Sequence, residues 1–205
     1  MRLNFTNTLG AAALAAVASL AAGCGDYVRQ DHAPVTLVID LLEAGAGENP
    51  QNFQGTLRSD VRQINAQGGS TFSDDMARVT MRMVLKDQGM PGFTNVPGPL
   101  NRVTITRYRV SFRRSDGRNT PGVDVPFPFE SAVTFTVPPE GSAQAVFEFI
   151  RHTSKLEAPL AGLAGGLVLI ATIADVKFSG RDQAGNEVSV TGSMGVIFGD
   201  FADPE

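Results

Sequence analysis

The side chains with the clearest chemical capacity in this chain are arginines. Arg102, Arg107, Arg109, Arg113, Arg114 and Arg118 fall within 17 residues that hold a single acid, Asp116, although the whole chain carries a formal charge of −4. A guanidinium is a planar fork of donors that matches the oxygens of a phosphate or carboxylate two at a time. On a strand, side chains alternate between faces, so Arg107, Arg109 and Arg113 share one face, with Ser111 between them. That stripe suits an anionic ligand. It has a structural explanation as well: charged side chains keep a sheet face in water and discourage pairing at a sheet edge.

Other chemistry is thinly represented. The chain has two histidines, His32 and His152. Ser154 lies too close to His152 in sequence for the pair to form two arms of a triad. None of the metalloprotease, nucleophile-elbow, Ser-x-x-Lys or Gly-rich phosphate-loop patterns is present. The sequence therefore offers no catalytic residue, and the expectation is a protein that is not an enzyme and carries no cofactor or metal. Asp182, Asp200, Asp203 and Glu205 could supply calcium oxygens, but they lack a fixed ligand spacing and read as solvated turns. Stacking on sugars needs exposed aromatic platforms. Trp is absent, and of the two tyrosines, Tyr27 and Tyr108, Tyr108 is expected in the core. The acidic balance argues against nucleic acid as a partner.

Cys24 is the only cysteine, so the chain has neither an internal disulfide nor a cysteine metal cluster. What precedes it explains its presence. Arg2 is the one charged residue before Asp26, and Leu9–Ala22 is an apolar run of 14 residues. A bilayer span needs about 20, whereas a secretory signal core is about this long. Ala21-Ala22-Gly23-Cys24 then resembles the lipobox of bacterial lipoprotein signals, where small residues precede the cysteine, although Ala21 stands where that family most often has Leu. The resemblance implies cleavage between Gly23 and Cys24 and attachment of a diacylglycerol, carrying palmitate-type acyl chains, to the Cys24 thiol. One chain anchors only marginally, at about 0.8 kcal/mol per buried methylene; lipoproteins of this kind carry two or three. Gly25, rather than Asp, follows the cysteine, which favours the outer over the inner membrane in a host with two.

Past this segment the chain reads as strands. Val35–Leu42 is β-branched and apolar, and Thr56–Ile64 alternates weakly. In Ala77–Lys86, Val79, Met81, Met83 and Leu85 share one face, the period of a half-buried strand. Arg102–Ser115 changes phase: Val103 and Ile105 point one way by parity, Tyr108, Val110 and Phe112 the other. A bulge near Thr106 reconciles them. Asp116-Gly117 marks a turn, and the prolines of 118–130 suit an irregular edge. Ser131–Val137 alternates; Ala143–Arg151 fits a strand or a helix. Ala158–Ala174 is 17 residues without charge, but Pro159, Gly162, Gly165 and Gly166 break helices, so it reads as a turn entering a buried strand. Leu167–Gly180 reads as that central strand. In Glu187–Phe198, Val188, Val190, Met194, Val196 and Phe198 face inward.

About eight short strands in this order indicate an all-β antiparallel sandwich or barrel. The Asp-Gln-Ala-Gly-Asn turn before Glu187 resembles the closing hairpin of bacterial immunoglobulin-like domains, and RYRVSFRRSDGRNTPGVDVPFPFE is similar to stretches of uncharacterised envelope lipoproteins, a likeness that lends no activity. The expected organisation is a signal peptide over 1–23, a tether over 24–34 and an immunoglobulin-like β-sandwich over 35–205. The expected role is binding or structural: a lipid-anchored cell-envelope module, held to the membrane by its N-terminal lipid, for a partner protein or an anionic envelope polymer such as lipopolysaccharide. Two other classes stay open, an envelope hydrolase with a site built from scattered loop acids, and an accessory lipoprotein of a lipid or transport complex.

Overall fold

The computed structural model describes residues 32–65 and 67–201. The signal segment, Gly23, Cys24, most of the tether, Asp203 and Glu205 lie outside these. The strands are β1 (Val35–Gly45), β2 (Thr56–Asp60), β3 (Gln63–Ile64), β4 (Ser70–Thr71), β5 (Asp75–Leu85), β6 (Gly89–Met90), β7 (Phe93–Thr94), β8 (Val103–Arg113), β9 (Phe129–Val137), β10 (Ala143–Ile150), β11 (Ile170–Asp182) and β12 (Glu187–Gly199). The fold is all-β. One sheet has the order β1-β5-β10 and the other β2-β12-β11-β8-β9. Pairing within both is antiparallel except where β2 runs parallel to β12.

The strands form where side-chain alternation gives each a face to bury. On β5, Ala77, Val79 and Met81 are fully buried while their neighbours are half-exposed. On β8 the register slips between Ile105 and Arg107. This bulge puts Val103 and Ile105 on the same buried face as Tyr108, Val110 and Phe112, as the phase change requires. The two inner faces meet through aromatic rings. Tyr108 on β8 stands edge-on to Phe147 on β10, centroids 4.8 Å apart, and Phe147 to Phe178 on β11 at 5.2 Å. Edge-to-face pairs align ring quadrupoles and add to the burial itself. The Tyr108 hydroxyl donates to the Glu148 carbonyl at 2.7 Å, so the ring is buried without stranding its polar end.

The structure differs from the sequence reading in places, each with a local cause. Ala143–Ile150 resolves as a strand because β5 offers it a free edge to pair with. β1 runs on to Gly45 through a register shift at Asp40, and β9 begins at Phe129. The central strand β11 starts at Ile170, not Leu167. Leu167, Val168 and Leu169 are 99%, 65% and 55% exposed, since the chain climbs to the sheet from a 3-10 turn at Leu160–Leu163. Among the described residues no helix is long and apolar enough to cross a membrane. The tether ends early, because Ala33 is already in the core and the Pro34 carbonyl accepts the Lys86 N–H at 2.9 Å. The expected strand Thr56–Ile64 divides into β2 and β3, β3 pairs with β4 in the loop that follows it, and the loop at 88–101 contains the β6–β7 hairpin.

Strand direction fixes two ends. Val35 pairs with Leu85, Val103 with Val137 and Asp182, and Glu187 with Arg181. His32 borders a surface hollow shared with Gly185, Asn186 and Glu187, which puts all of these at the end where the chain enters the domain. The β11–β12 turn here is built by its aspartate. One Asp182 carboxylate oxygen accepts from the N–H groups of Ala184 and Asn186 at 2.9 and 2.8 Å, the other from the Asn186 side chain at 2.8 Å. Gly185 sits at φ +86°, which favours glycine.

Candidate anion-binding site

The outer face of the five-stranded sheet carries the arginines singled out above. Arg107, Arg109 and Arg113 are all exposed on it. β8, however, lies between β11 and β9, so the arginines do not guard a sheet edge; that part of the sequence reading is corrected. Their surroundings also separate them. Arg113 is committed: its Nε donates to Asp175 on β11 at 2.8 Å. Burial pushes the Asp175 carboxyl upward, but Arg113 and the Ser193 hydroxyl outweigh it and hold the carboxyl below its ordinary value. Arg114 and Arg118 both grip Asp116 across the turn, at 2.7 and 3.0 Å. The Arg114 contact is the foremost cause that keeps this carboxyl well below the usual range. Arg102 donates to the Pro99 carbonyl at 3.2 Å. Four of the six arginines thus have local work.

Arg107 and Arg109 instead border a surface depression of about 380 Å³ between β9, β8, β11 and β12. Lys177 and Arg181 on β11 complete its cationic lining, and Glu130 and Glu187 line it as well. Strand register sets this arrangement. Lys177 lies directly opposite Arg109, and Ser179 opposite Arg107 and Ser189. The serines are short, so the longer cations stand around a low centre. Arg109 has Glu130 at 3.0 Å and Arg181 has Glu187 at 3.3 Å. Among the described residues Arg107 and Lys177 have no carboxylate partner. Lys177 faces Arg109 across the strand pair, a position in which like charges disfavour each other, and Glu130 at 3.0 Å from Arg109 offsets part of that repulsion.

The sequence reading missed Lys177 and Arg181. They belong to another segment, and only the pairing of β11 with β8 brings them to the stripe. The available signal was parity: Lys177, Ser179 and Arg181 alternate outward along β11. Conversely, Arg113 belonged to the stripe by parity and leaves the site because Asp175 takes it.

The remaining polar candidates are accounted for by structure. His152 Nδ1 lies 2.8 Å from Asp74, which also accepts the His152 backbone N–H at 2.6 Å. Asp182 is spent on its turn, and Asp200 pairs with Arg62 at 2.8 Å. Among the described residues no three metal-ligating side chains converge. One polar group was invisible in the sequence: Lys155 and Asp75 form an ion pair at 3.0 Å with both side chains fully buried. Ser59 and the Gly47 N–H also donate to Asp75. Burial raises the Asp75 carboxyl despite these partners. The cluster is closed to solvent and ties the His152–Lys155 helix to β2 and β5. A scan against models of protein families finds no match to this chain, and a search of curated proteins finds none either.

Proposed function

We propose that the protein is a lipid-anchored binding module of the cell envelope that holds an anionic polymer in the depression between β8 and β11. The observation that carries this reading is the unneutralised pair Arg107 and Lys177 beside a like-charged cross-strand contact. Such a group recognises phosphates or carboxylates through charge-assisted hydrogen bonds. The strand order supports an immunoglobulin-like β-sandwich: β1-β5-β10 corresponds to strands A, B and E, and β12-β11-β8 to G, F and C. The Asp182 turn supports it too. The lipobox-like Ala21-Ala22-Gly23-Cys24 supports acylation at Cys24 and a place at the membrane, the outer one in a host with two. Partners are therefore the membrane through the lipid and the polymer through the sheet face.

The binding is electrostatic and partly exposed, so salt weakens it: the screening length falls from about 10 Å at 0.1 M to about 3 Å at 1 M. Wild type should be retained on immobilised lipopolysaccharide at low salt and elute as salt rises, and Arg107→Glu with Lys177→Glu should pass through unretained. Equal retention of wild type and the double variant would sink the reading. In cells, labelling with an acyl-chain precursor should mark wild type and spare Cys24→Ala; label on both, or on neither, would remove the anchor.

A further inference from the structure

Residues 88–101 contain no charged side chain. They form the β6–β7 hairpin, which pairs Met90 with Phe93 around Pro91-Gly92, with Gly92 at φ +89°. The stem is tied down: Asp87 accepts the Gly89 N–H at 2.9 Å, and Gln88 the Asn95 N–H at 3.1 Å. The apolar side chains are left outside. Met90, Phe93, Val96 and Leu100 are 70%, 80%, 70% and 79% exposed. Single exposed apolar residues need no explanation, but a cluster of large ones marks a contact surface.

The position of the hairpin names its occupant. It leaves β5 at Leu85, which pairs with Val35, the first residue of β1. The apolar tip is therefore at the end where the chain arrives from Cys24. Ala33 is packed in the core, and the residues from Cys24 to Ala33 can span at most about 32 Å even when fully extended. An acyl anchor on Cys24 would keep this end near the lipid. Lys86 and Asp87 precede the uncharged stretch and Arg102 follows it, so the charged side chains sit at its base, where they can stay in the headgroup region while the apolar tip goes deeper. Another exposed apolar run, Leu167 to Leu169, precedes Ile170, which pairs with Phe198 at the opposite end of β11 and β12.

We propose that the 88–101 hairpin dips into the leaflet that holds the Cys24 acyl chains, so that the domain rests on the membrane by its entry end instead of swinging on a free tether. The proposal rests on the anchor reading above. The chain has no Trp, so one introduced tryptophan reports its own surroundings. Phe93→Trp and Leu167→Trp both replace exposed side chains and leave the core intact. Each full-length acylated protein is reconstituted in phosphatidylethanolamine–phosphatidylglycerol vesicles, with and without brominated acyl chains. Phe93→Trp emission should shift to the blue and be quenched by the brominated lipid several-fold more than Leu167→Trp emission. Protein that floats with the vesicles while Phe93→Trp stays unquenched, or while both positions are quenched alike, overturns the hairpin contact and leaves the anchor standing. Protein that does not float at all overturns the anchor, and the hairpin loses its occupant with it.

Discussion

At the scale of single residues, two pairs of charges behave in opposite ways. Arg107 and Lys177 are exposed and carry no carboxylate partner among the described residues. Lys155 and Asp75 are fully buried and depend on each other. Removing one member of a buried pair strands the other charge, at a cost of about 3–5 kcal/mol, whereas replacing both with apolar groups is often neutral. Lys155→Met should therefore lower the unfolding free energy in urea by roughly that amount, and Lys155→Met with Asp75→Asn, which removes the charge but keeps an acceptor for Ser59 and the Gly47 N–H, should recover part of it; no recovery in the double variant would mean that the coupling is not electrostatic. None of this was legible in the sequence. Lys155 sits in a stretch that alternates with neither period, and Asp75 closes what reads as a polar loop. The pair exists because the His152–Lys155 helix folds back over the start of β5, a contact between segments 80 residues apart.

At the scale of elements, periodicity did more. The inward faces of β5 and β12 follow directly from alternation, and the phase change in the β8 sequence by itself places the bulge near Thr106. Alternation failed where pairing decides. Leu167–Leu169 are apolar enough for a strand but begin beyond the last partner on β12. Ala143–Ile150 became a strand because β5 had an edge left to pair. The bulge has a counterpart on β11. A Cβ on Gly180 would collide with the Thr104 carbonyl oxygen and lie 2.7 Å from the Ile105 Cα. Both are backbone atoms that cannot swing away, so Gly180 marks a close approach of two strands. Gly180→Ala should destabilise the fold by about 1–3 kcal/mol, the usual range for overpacking, and thermal unfolding measures it. An unchanged midpoint would show that β8 can retreat, and that the bulge does not fix the register of Arg107 and Arg109.

At the scale of the whole molecule, strand direction relates the two surfaces. The β11–β12 turn, the chain entry and the 88–101 hairpin share one end, and Arg181, beside that turn, also lines the basic depression. With the proposed acyl anchor on Cys24, an anion held there would sit close to the membrane, against the side of the sheet. The sequence exposed the arginine stripe but not this site, because a depression is a property of neighbouring strands and the stripe is a property of one. The most direct measurement follows from that difference: the dissociation constant for lipopolysaccharide at low salt, compared among wild type, Lys177→Ala and Arg113→Ala. A site in the depression requires Lys177→Ala to bind at least several-fold more weakly while Arg113→Ala stays near wild type. Loss of binding in Arg113→Ala with Lys177→Ala unaffected would contradict it and return the role to the linear stripe.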